Sequence, residues 1–373
     1  MNEQSGIWRG TVWLWLAVAA GAVLRLWRVH DQILGDDEYH AIHAVLSLGF
    51  PEILLTFLPS DHCIPLSALY RLWIASGQPL TEMVLRAPSL VAGIVFLIVA
   101  PRWVDCRLGR PAAIAFAWLA AISPPLVFYS RIARSYMPVA LLGFLAVMAF
   151  WAWWTTGRRR HAAAYALLAG STLYFHLGTG PFLVVPFAWA AGAKLVAGRR
   201  ARRRGAPAPE QPSWPAWLLT GVATAGAMAA FLLPTAWTLL PLIAEKRIHM
   251  PSTFENTIHH MLQLAAGTGQ NLLAVLFWLV AAGGLAVLLV RRPALGSFSL
   301  AMVVGQIVGL LLLDPMGLPH PLIFNRYLLV VLPFVLLWTA VGVVAVGSAS
   351  PGVAGGGPKH RRKNKKPTDT QKP

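Results

Sequence analysis

Apolar residues run along this chain in blocks of roughly 20, the length that crosses a bilayer as a helix. The blocks cover residues 11–29, 85–101, 111–128, 137–154, 162–178, 181–197, 215–240, 271–290, 295–313 and 327–347. The period-two alternation of a membrane barrel is absent. The pattern therefore predicts an all-α polytopic membrane protein with about ten transmembrane helices. Two stretches of the segment 30–84 read differently. Residues 37–48 read as an amphipathic helix lying on the membrane surface, since Tyr39, Ile42, Leu46 and Phe50 recur at helical spacing. Residues 63–77 are apolar but short, and read as a second juxtamembrane helix. The transmembrane unit spans 1–347. An Arg-, Pro- and Ala-rich loop at 199–213 and a Gly- and Lys-rich tail at 348–373 read as flexible and disordered.

Charge then orients the blocks. Only 12% of the 373 residues are charged, about half the share in a soluble domain. The net charge of +17 is carried by clusters at 102–110, 158–160, 199–204, 291–292 and 359–366, each between or beyond apolar blocks. That is the positive-inside pattern, so the charge reports topology and not nucleic-acid binding. With every cluster inside, both termini are cytoplasmic and 30–84 is a long outer loop. Residues 11–29 read as an uncleaved signal anchor. Cys63 and Cys106 fall on opposite faces and have no metal or redox spacing.

The same topology collects unusual residues outside. Seven of the 14 acidic residues, Asp31, Asp36, Asp37, Glu38, Glu52, Asp61 and Glu82, lie between the first two blocks. Carboxylates concentrated beside a membrane are costly, which marks them as functional candidates. Outside with them fall His40, His43, His62, Arg131, Arg134, Tyr136, Tyr174, His176, Lys246, Arg247, His249, His259, His260, Asp314, His320, Asn325, Arg326 and Tyr327. Outer arginines run against the positive-inside rule. One of them is explained by snorkelling to headgroups. Arg131, Arg134, Arg247 and Arg326 together point to a bound anion, since guanidinium forks match phosphate. Arg131 and Arg134 are three apart and would share one face of a helix. The adjacent His259 and His260 diverge on a helix and make no metal clamp; His62, beside Asp61, is placed to meet a phosphate or a metal.

A carboxylate facing a lipid-borne phosphate suits glycosyl transfer. A base takes the proton of the acceptor hydroxyl as it attacks the anomeric carbon. Phosphate leaves as a stable anion and needs no acid partner, so one carboxylate suffices and the anomeric centre inverts. Cations stabilise the departing charge.

Several segments carry a resemblance in order along the chain: Asp37-Glu38, then Asp61-His62-Cys63-Ile64-Pro65-Leu66-Ser67-Ala68-Leu69-Tyr70, then Leu85-Arg86-Ala87-Pro88-Ser89-Leu90. Ser123-Pro124 follows, with Tyr129-Ser130-Arg131-Ile132-Ala133-Arg134-Ser135-Tyr136, Tyr174-Phe175-His176 and Asn325-Arg326-Tyr327-Leu328-Leu329. Together they resemble the lipid-carrier-dependent glycosyltransferases of the GT-C fold, in particular the bacterial group similar to protein O-mannosyltransferases and the lipid A aminoarabinose transferase. Residues 10 to about 200 are covered, and 215–320 thinly. The resemblance implies Asp37 as catalytic base with Glu38 beside it. It also implies a polyprenyl-phosphate sugar as donor, and a lipid, glycan or protein as acceptor. The site would face the exterior of a bacterial inner membrane, with His62, Arg131, Arg134, Tyr136, His176, Arg247, Arg326 and Tyr327 around the substrate. Two positions depart from the family. His62-Cys63-Ile64-Pro65 stands where His-Pro-Pro is common, and Ile132 where an acidic residue is common. The second departure weakens the case for a divalent metal, and no cofactor is otherwise implied. Some relatives carry a large C-terminal periplasmic domain; by this resemblance the chain looks like a compact, transmembrane-only version.

Two other readings use the same residues. A transporter or flippase for a lipid-linked or anionic substrate would carry ionisable residues mid-span. Blocks 111–128, 137–154, 215–240 and 295–313 have no Asp, Glu or Lys. A non-catalytic scaffold leaves the acidic run and the outer arginines unexplained.

Overall fold

The structure, a computed structural model, describes residues 3–57, 63–205, 211–245, 254–313 and 321–349. It is helical throughout, with no strand among the described residues. In chain order the helices are α1 (Glu3–Leu26), α2 (Asp36–Ser47), α3 (Phe50–Leu55), α4 (Ile64–Ala75), α5 (Glu82–Leu108), α6 (Arg110–Ile122), α7 (Pro124–Ser130), α8 (Tyr136–Thr156) and α9 (Arg159–Phe175). They continue as α10 (Gly180–Arg204), α11 (Trp214–Leu232), α12 (Ala236–Glu245), α13 (Phe254–Ala266), α14 (Asn271–Arg291), α15 (Pro293–Leu313), α16 (Pro321–Leu328) and α17 (Leu332–Ala349).

Seven helical segments among the described residues are long and apolar enough to cross a membrane. They are Gly10–Asp31, Glu82–Leu108, Tyr136–Thr156, Leu177–Arg204, Trp214–Pro241, Asn271–Arg291 and Pro293–Leu313. The protein is an all-α polytopic membrane protein. Three of the ten expected spans take other forms. The block 111–128 is broken into α6 and α7, bent by 56°. Ser123 is followed by Pro124 and Pro125, and proline removes the N–H that would continue the first helix. The block 162–178 is α9, whose 17 residues include Arg159, Arg160 and His161 at the start. The block 327–347 is divided between α16 and α17, the second restarting where Pro333 sits in its first turn.

The two short helices expected within 37–48 and 63–77 are present as α2 and α4, with α3 as a short addition. Asp36 is the first residue of α2. Gly35 is the N-cap, and its N–H donates to the Glu38 carboxylate at 2.8 Å. Arg131 and Arg134 are not on a helix. They lie in the irregular link between α7 and α8. The basic tail beyond Ala349 and residues 206–210 of the Arg- and Pro-rich loop lie outside the described residues.

The hairpins fix which ends are shared. α5 begins, α9 ends and α8 and α10 begin at the end of the bundle that carries α2, α3 and α4. The basic residues at 102–110, 158–160, 199–204 and 291–292 therefore share the opposite end. Between the ends the core is close-packed. Its ring layer joins Phe150 to Tyr165, Phe187 and Phe298, with centroids 5.1, 5.3 and 6.2 Å apart. Where α14 crosses α17 the backbones touch. A Cβ on Gly284 would sit 1.8 Å from the Trp338 carbonyl oxygen, and one on Gly342 would sit 2.2 Å from that of Val280. Lipid tails are as apolar as leucine, so such close backbone contact is a main source of helix association. α17 is buried along most of its length and packs against α6, α14 and α15.

Candidate functional site

The acidic stretch is tied to the bundle by one carboxylate. Glu38, at the third position of α2, is 2% exposed and receives four hydrogen bonds. Arg86 donates from Nε and Nη2 at 3.1 and 3.0 Å, Gly35 N at 2.8 Å and Ala133 N at 2.7 Å. Arg86, in the second turn of α5, spends its remaining N–H groups on the carbonyls of Val29, Gln32 and Ile33. All five guanidinium donors are used. Burial pushes the Glu38 carboxyl up, but Arg86 and the Gly35 and Ala133 amides outweigh it and hold it below the usual carboxylate range. A carboxylate so saturated keeps its charge and gives little to a proton-transfer task. It fixes Asp37, the residue before it in the first turn of α2, relative to α5 and to the 131–134 link.

A second buried cation holds the broken helix. Arg25, at the end of α1, is fully buried. It donates to Ser130 Oγ at 3.1 Å, to the Gly21 and Ala121 carbonyls at 2.9 and 3.1 Å, and to Ala120 at 3.2 Å. The break after Ile122 leaves the last carbonyls of α6 without partners in their own helix. Arg25 supplies donors to two of them and ties the end of α7 to the same point. Gly93 of α5 makes room for this, since a Cβ there would meet Ser130 Oγ at 2.2 Å.

Beyond these anchors lies an aromatic and cationic wall. Tyr136, the first residue of α8, contacts Tyr129 of α7 at a centroid distance of 5.2 Å and His176 at 5.7 Å. His176 meets Tyr327 of α16 at 4.8 Å. The Arg326 guanidinium sits 5.7 Å from the Tyr136 ring and 5.9 Å from Tyr327, within the range of cation–π attraction. Four of the expected site residues, Tyr136, His176, Arg326 and Tyr327, are thus gathered from three distant parts of the chain. Arg131 and Arg134 flank Ala133, whose N–H meets Glu38. The Arg134 carbonyl accepts from Ser89 at 2.8 Å. Arg131 Nε is buried with no hydrogen-bond partner among the described residues. His62 and Arg247 lie outside the described residues, as do the side chains of Asp36, Asp37 and His40.

The wall adjoins an apolar cavity of about 650 Å³. It is lined by α7, α13, α14, α15, α16 and α17, with Tyr129, Phe128, Trp278, Leu328 and Val335 among its side chains. Tyr129 belongs to both the wall and the cavity. So does the pair Asn325–Arg326, one residue facing each. Asn325 Nδ2 has no hydrogen-bond partner among the described residues. Gly267 lines the cavity just past the end of α13. It has φ +74°, and a Cβ there would strike Pro124 Cδ at 2.5 Å. Only glycine permits both.

Among the described residues no three His, Cys, Asp or Glu side chains group as a metal site. Cys63 is buried beside Val45, Tyr70 and Ala133, whereas Cys106 is exposed, and the two are not bonded to each other. Arg25, Arg86 and Gln306, whose contacts follow below, were not singled out by type and spacing. The available signal was polarity out of place: an arginine at the end of α1, another near the start of α5, and a glutamine within apolar α15.

The chain matches no protein-family model, and no curated protein matches it significantly. Fold and site define a polytopic helical membrane protein. One end of its bundle carries an acidic surface helix, a cationic aromatic wall and an apolar cavity side by side.

Proposed function

We propose that this protein is a membrane glycosyltransferase that moves a sugar from a polyprenyl-phosphate carrier to an acceptor hydroxyl on a lipid, glycan or protein. The observation that carries the reading is the apolar cavity joined through Tyr129 to the wall of Tyr136, His176, Arg326 and Tyr327. An apolar chamber beside a cationic patch suits an amphiphile with an anionic head. The resemblance of the motif order to GT-C glycosyltransferases supports the same chemistry.

In this reading Asp37 takes the acceptor proton as the hydroxyl oxygen attacks the anomeric carbon. The bond from that carbon to the phosphate oxygen breaks, and its electron pair leaves with the carrier phosphate. Arg326 and the arginines of the 131–134 link stabilise that charge. Attack opposite the leaving group inverts the anomeric centre. Glu38 positions Asp37 and does not titrate in the cycle. The reacting end faces the exterior of the cell, because the basic clusters at the other end are retained inside.

The test is release of free carrier phosphate. Purified protein in nanodiscs is given a panel of polyprenyl-phosphate sugars with a soluble acceptor extract. Turnover of one donor, with matching build-up of that donor in cells lacking the protein, is the expected result. Transbilayer movement of a donor without cleavage of its sugar bond would instead mark a flippase and overturn the assignment.

A further inference from the structure

Gln306 stands alone as a fully buried amide in apolar α15. Its Oε1 accepts from Phe182 N at 2.8 Å, and its Nε2 donates to the Gly178 carbonyl at 2.9 Å and to the Tyr327 carbonyl at 3.1 Å. The partners settle the amide's orientation. A backbone N–H must meet the oxygen, and two carbonyls must meet the NH₂ group. One side chain therefore binds the start of α10, the Leu177–Thr179 turn and the end of α16.

The turn in question presents His176. Gly178 N donates to His176 Nδ1 at 3.1 Å. A peptide N–H can only donate, so Nδ1 carries a lone pair there and the ring proton of neutral His176 sits on Nε2. The fit is tight. A Cβ on Gly178 would lie 2.6 Å from Tyr327 Cδ1 and 3.0 Å from His176 Cε1. The His176 carbonyl is held as well, by Thr179 N at 3.2 Å and Thr179 Oγ1 at 2.7 Å.

We propose that Gln306 is a positioning residue that locks the Leu177–Thr179 turn against Tyr327 and thereby holds His176 as an Nε2–H donor. Neutral His176 in this state has its one lone pair engaged by Gly178 N, so it cannot take a proton without losing that bond. It serves the site as a hydrogen-bond donor and not as a base. In the glycosyltransferase reading, on which this part rests, His176 belongs to the wall of Tyr136, Arg326 and Tyr327 that meets the carrier phosphate.

The test reads the tautomer directly. Protein with isotope-labelled histidine is observed by NMR in nanodiscs, and the His176 signals are identified by their loss in His176→Gln. The wild type is expected to show the Nε2–H tautomer alone, and Gln306→Leu a mixture of both. Gln306→Glu, which keeps the acceptor for Phe182 N and loses both donated bonds, is expected to fall between. An Nδ1–H tautomer in the wild type, or an unchanged Nε2–H state in a folded Gln306→Leu, would overturn the proposal. If Gln306→Leu does not fold, Gly178→Ala disturbs the same contact from the other side and is read the same way. Adding polyprenyl phosphate without sugar then separates the two readings. A shift of the His176 Nε2 resonance supports both. A correct tautomer with no response to the lipid phosphate keeps the positioning role and removes the carrier site.

Discussion

Glu38 and Arg86 are 48 residues apart in the chain and meet through two side-by-side N–H···O contacts, at side-chain exposures of 3% and 0%. The pair joins α2 to α5, and through Ala133 it joins both to the link before α8. Buried pairs of this kind are expensive to break from one side. Glu38→Gln and Arg86→Met are each expected to cost about 3–5 kcal/mol, because each leaves an uncompensated buried group. The double replacement Glu38→Gln with Arg86→Met should cost less than the sum. Denaturant unfolding in detergent, run as a double-mutant cycle, measures this coupling.

The same carboxylate sets an acid limit. Its folded pKa is held below the unfolded value of about 4.3. Its stabilisation is thus fully present above the unfolded value and lost as pH falls through the folded one. Wild-type Tm should drop through that window with a steeper slope than Glu38→Gln, whose side chain does not titrate. Equal slopes would show that Glu38 contributes nothing to acid sensitivity.

Arg25 makes a separate prediction. Arg25→Lys keeps the charge but cannot span Ser130 Oγ, the Gly21 carbonyl and two carbonyls of α6 at once. It should recover only part of the stability lost in Arg25→Ala. Proteolysis near the α6–α7 break should rise in the same order. Full rescue by lysine would mean that charge, and not the fork, is what the break requires.

The α14–α17 crossing can be tested with a built-in control. Gly284→Ala and Gly342→Ala push a methyl into backbone and are expected to cost about 3 kcal/mol each, the upper end for overpacking. Gly283→Ala, whose Cβ would meet nothing within 4 Å, should be neutral or slightly stabilising. Thermal denaturation of the three variants compares them directly.

For the proposed chemistry, Asp37→Asn keeps shape and removes the proton acceptor. Transfer should fall at least about 10²-fold while donor binding persists. Asp36→Asn should lose little, since Gly35 and not Asp36 caps α2. Assaying transfer and binding side by side separates the two carboxylates; a dead Asp36→Asn beside an active Asp37→Asn would move the base by one residue.

Orientation is checked with thiols. Cys106 is exposed near the basic end of α5 and should react with an impermeant reagent only after permeabilisation. Cys63 is 6% exposed and should stay slow in either case until the protein is denatured. Labelling of Cys106 in intact cells would reverse the topology.

Hydropathy was enough to show a helical membrane protein, because burial in lipid is a property of composition over about 20 residues. Local chemistry was enough for α2 and α4. It was not enough for the forms of α6, α7, α16 and α17, where Pro124, Pro125 and Pro333 break runs that remain apolar across the break. Nor could spacing reveal that Arg131 and Arg134 leave the helix. At the site, each of Tyr136, His176, Arg326 and Tyr327 was visible as a polar residue near a span end. Their meeting was not, since it depends on how α8, α9 and α16 pack. Glu38 was read beside Asp37 as one acidic motif. Only the partner Arg86, far along the chain, separates an anchoring carboxylate from its neighbour.

The burial of α17 has a consequence for synthesis. This helix is translated after the elements it lies between, yet α6, α14 and α15 close around it. The bundle therefore cannot close on α6, α14 and α15 until α17 has left the ribosome. Until residues 332–349 arrive, the faces of α6 and α14 meant for them must be held by lipid or by the insertion machinery. A chain interrupted before that point would keep nearly all of its spans and lack the piece they close upon, which makes it a ready substrate for membrane quality control.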